Sequence, residues 1–137
     1  MRTIKEIIVH CSATPEGRDV KTETVRGWHV NERGWSDIGY HWVVELDGSV
    51  NKGRDESRSG AHAKGHNRAS IGVCYIGGVD ADMKAKDTRT DKQKEALHCL
   101  IMEDLKGRYP DAVVLGHNDI SSKACPSFNA KEEYNGG

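Results

Sequence analysis

The stretch from Gly116 to Phe128, GHNDISSKACPSF, carries three side chains whose chemistry can combine at close spacing. They are His117, Lys123 and Cys125. Imidazole nitrogen and thiolate sulfur are common zinc ligands, and an ammonium group can stabilise negative charge that develops during a reaction. Because two ligands do not complete a site, a third has to come from another part of the chain. The best candidate is His10, at the end of the first apolar run.

Two histidines and one cysteine predict a particular kind of zinc centre. Three protein ligands leave a fourth position for water, as in catalytic zinc sites, whereas structural sites usually fill all four positions. Zinc lowers the pKa of bound water to about 7, which makes hydroxide available at neutral pH. The chain has 7 histidines and no HExxH or paired CxxC motif. The spacing alone therefore also allows a half-buried histidine that bonds to the backbone.

The composition is that of one globular domain. The chain has 137 residues, 36% of them hydrophobic and 30% charged, with a net charge of −1. This length suits a single domain with one core over residues 1–137. The small net charge gives no general attraction to nucleic acid or to anionic lipid. No apolar run approaches the ~20 residues that span a bilayer, and the N-terminus lacks the apolar segment of a signal peptide, which predicts synthesis in the cytoplasm.

The four cysteines are expected to be reduced, because disulfides are rare in cytoplasmic proteins. Cys74 and Cys99 lie in apolar patterns and are predicted to be small core residues. Cys11 follows His10 and would point to the opposite face of a strand, where packing is again the favoured role.

Apolar periodicity predicts a chain of strands and helices typical of an α/β domain. Predicted strands cover residues 3–10, 40–46, 49–52, 70–76 and 112–116, and predicted helices cover 21–33, 90–108 and 127–134. Thr22, or as a second option Thr24, is expected to cap the first helix, and Thr90 with Gln93 forms a capping box for the second. His10 and His117 both fall at the C-terminal ends of strands, where α/β sheets gather ligands.

Two further residues have more than one interpretation. Tyr40 opens the hairpin that turns at Asp47-Gly48, and it could be a cross-strand aromatic or hold its hydroxyl over a site. His62 lies in the polar segment 54–68, which is either a cleft-lining loop or a flexible connection. The segment 79–89 is polar, has no clear pattern and should be the most mobile part.

Six segments in a fixed order carry a resemblance to a known family. They are HCSAT (10–14), GWSDIGYHWVVELDGSV (34–50), GRDE (53–56), HAKGHN (62–67), SIGVCYIGG (70–78) and KACPSF (123–128). On these segments the sequence resembles the N-acetylmuramoyl-L-alanine amidases of the phage T7 lysozyme type, within the zinc amidase and peptidoglycan recognition protein superfamily. The resemblance implies a central mixed β-sheet flanked by helices, with zinc in a cleft on one side.

Carried over position by position, the resemblance implies that His10, His117 and Cys125 bind Zn2+. It makes Tyr40 and Lys123 catalytic, which favours the second interpretation of Tyr40. The implied reaction is hydrolysis of the amide bond between N-acetylmuramic acid and L-alanine in peptidoglycan. Lys123, together with Tyr40, is expected to stabilise the oxyanion that forms on the carbonyl group.

The resemblance also assigns His62 to the cleft, with a role in substrate binding. The expected partner is a muropeptide, and the chain is expected to be a monomer that binds neither nucleic acid nor membrane. It should reach the cell wall after release, as a prophage lysin, or after export, as an antibacterial effector. The alternatives are a non-catalytic peptidoglycan-binding module, which would typically lack Cys125, a regulator that binds another protein, and a zinc peptidase.

Overall fold

A computed structural model of the chain describes residues 2–135, and its strands and helices alternate along most of that length. The strands are β1 (Glu6–Cys11), β2 (Thr14–Pro15), β3 (Trp42–Val44), β4 (Val50–Lys52), β5 (Ser70–Tyr75), β6 (Gly78–Val79) and β7 (Val113–Gly116). The helices are α1 (Thr22–Gly27), continued by a π-helical turn (Trp28–Glu32); α2 (Asp91–His98), continued by a π-helical segment (Cys99–Leu105) into α3 (Lys106–Arg108); and α4 (Ala130–Asn135). Among residues 2–135, none of the helices combines the length and apolar character that crossing a bilayer requires.

A mixed sheet forms the centre of the fold, as the resemblance implied. Its 5 strands lie in the order β4-β3-β5-β1-β7. Strand β1 pairs in parallel with β5 and β7, and β3 pairs in parallel with β5, whereas β4 is antiparallel to β3. The register aligns Val9 with Gly116, so the residues that follow these two positions meet at one edge of the sheet. Those residues are His10 and His117.

The two faces of the sheet bury different side chains, because successive strand residues point to opposite faces. On one face, Ile7 and Val9 of β1 pack in the larger core with Leu97 of α2 and Tyr134 of α4. On the other face, Val43 and Cys74 pack in a smaller core with Val25 of α1. His10 alternates with Val9 and therefore lies on the α1 side of the sheet.

The predicted capping box of α2 is confirmed. Gln93 N donates to Thr90 Oγ1 at 3.0 Å, and Thr90 N donates to Gln93 Oε1 at 2.9 Å. The predicted cap of α1 is wrong, because Thr22 lies inside the helix and makes no cap bond of its own. Its backbone N–H and its hydroxyl both donate to Glu45 Oε2, at 2.8 Å and 2.7 Å, so a carboxylate beyond the end of β3 satisfies this helix terminus.

Two other expectations need correction. Cys99 was predicted in the core, but it is exposed because Leu97, Leu100 and Ile101 occupy the buried stripe of the helix and Cys99 lies off that stripe. The closing helix begins at Ala130, three residues later than predicted. Cys11 and Cys74 are buried, as expected.

The segment 79–89, which has no pattern in the sequence, forms a short hairpin against the rest of the fold. Val79 bridges Ala85 in antiparallel fashion, and Gly78 N donates to Thr88 Oγ1 at 2.8 Å. Arg89 then pairs with Glu133 of α4 at 2.8 Å. These partners are distant in sequence, so local periodicity could not reveal them.

Candidate metal centre and active site

Two histidines meet where β1 and β7 end. His10 is the fifth residue of β1, and His117 follows directly after β7 in a short 3-10 turn. The centroids of their rings are 4.7 Å apart. His10 is only 1% exposed, while His117 is half-buried, so the pair lies at the floor of an opening to solvent.

Cys125 reaches the same place from the loop after β7. The backbone N–H of Cys11 donates to Cys125 Sγ at 3.0 Å. The buried hydroxyl of Tyr75 donates to the carbonyl oxygen of Pro126 at 2.6 Å, which ties the loop to the end of β5. Two strand ends therefore hold the sulfur beside the histidines.

The three side chains could hold a metal ion. One ligand atom from each of His10, His117 and Cys125 lies within 4.8 Å of the other two. Burial, and then the nearby charges of His62 and His117, lower the pKa of His10 well below its usual value, which keeps the imidazole in the neutral form that metals bind. Contact with the Cys11 thiol and burial raise the pKa of the Cys125 thiol, so its thiolate needs a neighbouring positive charge. A metal ion fits this donor set and supplies that charge.

Tyr40 approaches His10 from the segment before β3. Its ring centroid is 5.2 Å from that of His10. Burial, followed by the neighbouring Cys74 thiol, raises the pKa of Tyr40 well above its usual value. The hydroxyl therefore stays protonated at neutral pH and can act as a hydrogen-bond donor.

Lys123 and His62 complete the set of residues that the sequence pointed to. Lys123 is exposed at the edge of the opening, and its charge contributes to the lowered pKa values of His10 and His117. His62 approaches from the long loop, with Nδ1 2.8 Å from Nε2 of His10. All six predicted site residues thus line one cleft.

The cleft has two connected parts, of about 240 Å³ and about 470 Å³. Both parts are lined by Trp35, Ala61, His62, His117 and Lys123. Arg33 lines the first part and Lys64 the second, and within residues 2–135 no carboxylate lines either one. A protein of net charge −1 thus has a positively charged cleft.

A family model described as N-acetylmuramoyl-L-alanine amidase matches residues 1–128 of the chain. The chain belongs to this family. The endolysin of Klebsiella phage KP32 is 46% identical over 126 residues, which cover 92% of this chain and 82% of the phage protein. The endolysin of Escherichia phage T7 is 45% identical over 125 residues, with 91% of this chain and 82% of the phage protein covered. The solved structure of the amidase LysC from Clostridium intestinale superposes with a TM-score of 0.79 at 26% identity and covers 96% of this chain and 82% of LysC.

The expectation of an amidase is thereby confirmed, together with the mixed α/β fold. The protein hydrolyses the amide bond between N-acetylmuramic acid and L-alanine in peptidoglycan. In this amidase, one cleft gathers histidine, cysteine, tyrosine and lysine side chains from segments that are far apart in sequence.

Some residues of the amidase cleft escaped the sequence analysis. His29 lines the cleft, is only 8% exposed, and its Nδ1 accepts a hydrogen bond from Gly39 N at 2.9 Å. Its ring lies 4.7 Å from that of Trp35. The spacing of His29 from Thr22 and Val25 places all three on one helix face, which would have revealed its burial.

The buried state of His29 predicts how the stability of the amidase depends on pH. Burial, with the charges of Arg33 and Arg54, lowers the pKa of His29 from 6.5 to about 4. Between these two pH values the unfolded chain binds more protons than the folded chain. The contribution of neutral, buried His29 to the free energy of unfolding is therefore fully present above pH 6.5. It is lost as the pH falls toward 4, by up to about 3 kcal/mol.

The test uses metal-free protein and urea unfolding at several pH values. His29→Asn keeps an acceptor for Gly39 N but cannot titrate, so its free energy of unfolding should decline less steeply below pH 6.5 than that of the parent. His98→Asn, at an exposed position of α2, controls for the loss of one histidine. Equal slopes for the parent and His29→Asn would contradict the assignment.

Proposed function

We propose that this amidase is a zinc-dependent cell-wall lysin in which His10, His117 and Cys125 bind the metal. The observation that carries the proposal is the convergence of these three ligand atoms within 4.8 Å at the floor of the cleft. Zinc is the metal that this combination of imidazole and thiolate ligands suits best. When bound, it supplies a Lewis acid for the amide carbonyl and lowers the pKa of water to about 7.

The side chains around the centre have distinct roles in this proposal. Lys123, exposed at the cleft edge, places its ammonium group against the negative charge that develops on the carbonyl oxygen. Tyr40, whose hydroxyl stays protonated, donates a hydrogen bond to the same oxygen or passes a proton to the departing nitrogen. Hydrolysis breaks the C–N bond and leaves a lactyl carboxylate on the glycan and a free amino group on L-alanine.

The charge of the cleft suits the rest of the substrate. Arg33 lines one part of the cleft, Lys64 lines the other, and Lys123 lines both. Free carboxylates of a stem peptide would gain charge-assisted contacts with Arg33 and Lys64. His62, in the wall of both parts, contacts the substrate beside the scissile bond. Because one chain provides every one of these groups, we propose a monomer with a single catalytic domain.

The experiment that tests this function is digestion of purified muropeptides, followed by mass spectrometry. We expect two products, a glycan that ends in a lactyl carboxylate and a peptide that begins with a free L-alanine. A chelator should stop the reaction, and added zinc should restore it. Cleavage of another bond, cleavage of casein, or full activity after complete removal of metal would each contradict the proposal.

A further inference from the structure

The His62 side chain is engaged at both of its ring nitrogens. Its Nδ1 lies 2.8 Å from Nε2 of His10, and its Nε2 lies 3.2 Å from the hydroxyl oxygen of Ser70. Ser70 is fully buried at the start of β5. The three side chains therefore form a chain of hydrogen bonds that runs from the candidate metal centre into the sheet.

The direction of this chain follows from the role of His10 as a ligand. The hydrogen bond to His62 engages Nε2 of His10, so Nδ1 is the nitrogen that remains for a metal. A nitrogen that binds a metal carries no proton, so the proton of the neutral ring is on Nε2. His10 Nε2–H then donates to His62 Nδ1, and His62 Nε2–H donates to Ser70 Oγ. The opposite direction would put a proton on Nδ1 of His10 and prevent metal binding in this geometry.

The ring of His62 occupies a slot that two glycines leave open. A Cβ atom on Gly72, in β5, would lie 2.6 Å from Cγ of His62. A Cβ atom on Gly60, in the long loop, would lie 2.6 Å from Cδ2 of the same ring. Either side chain would collide with the imidazole, so the backbone is shaped around one position of the His62 ring.

The backbone of His62 is held as firmly as its ring. Asn67 Oδ1 accepts hydrogen bonds from the N–H groups of His62 and Ala63, both at 2.9 Å. The guanidinium group of Arg2 donates to the carbonyl oxygens of Asn67 at 3.3 Å and Ser70 at 3.0 Å, and so fixes the end of the loop against the N-terminal segment. A residue whose only role was to contact the substrate would not need its backbone fixed by these hydrogen bonds.

His117 provides a contrast within the same centre. In the described part of the chain, residues 2–135, the ring of His117 has no hydrogen-bond partner, whereas the second nitrogen of His10 has one. Imidazole ligands are usually oriented by an acceptor on the second nitrogen, and loss of that acceptor typically weakens metal binding by about 10–100-fold. The fold supplies such an acceptor to His10.

We propose that His62 is a positioning residue for His10: it accepts a hydrogen bond from His10 Nε2–H, is itself fixed by Ser70, and so directs Nδ1 of His10 toward the metal. The inference rests on the proposed function, because it requires the zinc centre, and it adds to the contact with substrate proposed above. It also accounts for Gly72 in the middle of a central strand, where a glycine is otherwise unfavourable.

A matched pair of substitutions tests this role. His62→Asn keeps an acceptor where Nδ1 lies, whereas His62→Leu has nearly the same shape without one. Zinc affinity is measured by competition with a chromophoric chelator, and the ligand geometry by the absorption spectrum of the cobalt(II)-substituted protein. We expect His62→Leu to bind zinc about 10–100-fold more weakly and to change the cobalt spectrum, while His62→Asn stays close to the parent in both measurements.

Other outcomes identify what has failed. If both variants keep the parent's zinc affinity and cobalt spectrum and differ only in KM, then His62 acts on the substrate alone and the positioning role is wrong. If the parent itself shows no thiolate-to-cobalt absorption, then the zinc centre is wrong, which is a failure of the proposed function. If His62→Leu does not fold, Ser70→Ala is tested in its place. This substitution removes the acceptor of His62 Nε2–H and should weaken zinc binding severalfold. Unchanged zinc affinity in Ser70→Ala would overturn the inference.

Discussion

Cys125→Ser is expected to release the metal and to reduce amidase activity by about 10³-fold or more. A serine hydroxyl is not deprotonated at neutral pH as a zinc-bound thiol is, so the three-ligand set becomes two imidazoles. The lost Lewis acid is worth several kcal/mol in the transition state, and each ~1.4 kcal/mol is tenfold in rate. The measurements are metal content after dialysis and the rate of muropeptide hydrolysis.

The matched control for this substitution is Cys99→Ser. Cys99 carries the same thiol on the exposed face of the helix that follows α2. The Cys99→Ser substitution should leave both the metal content and the rate of muropeptide hydrolysis unchanged. Because Cys125 Sγ also accepts the Cys11 N–H, the thermal unfolding of the metal-free Cys125→Ser protein should be compared with that of the metal-free parent, to separate loss of a ligand from loss of the loop. A folded Cys125→Ser protein that retains one zinc and the parent rate would mean that Cys125 is not a ligand.

The location of the site could be predicted from the sequence because strand ends are locally encoded. The apolar run before His10 and the short run before His117 both predict strands, and a histidine ends the first strand and directly follows the second. Parallel pairing of these strands brings their C-terminal ends to one edge of the sheet. Spacing alone could not select Tyr40 from the other aromatic residues, and the family resemblance was needed to place it in the cleft.

The hydrogen bonds that hold the site in place could not be predicted, because the residues that form them are far apart in sequence and follow no period. Glu45 satisfies the start of α1 from the end of β3, and Arg2 donates to carbonyl oxygens more than 50 residues away in the loop that carries His62. Glu56 accepts from Trp42 Nε1 at 2.7 Å and from Arg108 at 2.8 Å, which fixes the same loop to the helix on the other face. Polar side chains in an irregular segment predict only a loop, and nothing in the composition indicates which hydrogen bonds hold it.

Lys123→Ala is expected to lower kcat by about 10²–10³-fold while the protein keeps its zinc. One hydrogen-bond donor to a developing oxyanion is typically worth about 3–4 kcal/mol, and the ammonium group of Lys123 interacts with charge that exists only in the transition state. KM should therefore change little. The measurements are kcat and KM on a soluble muropeptide, together with the metal content of the same preparation.

Lys64→Ala is the control that separates this role from general attraction of an anionic substrate. Lys64 is also an exposed cation that lines the cleft, but only in the part that neither Tyr40 nor Cys125 lines. Its loss should raise KM, more so at low salt, and leave kcat near the parent value, since the interaction is equally strong before and during the reaction. If both lysine variants changed KM alone, the positive cleft would serve binding only, and the oxyanion would have to be stabilised by the metal and Tyr40 without Lys123.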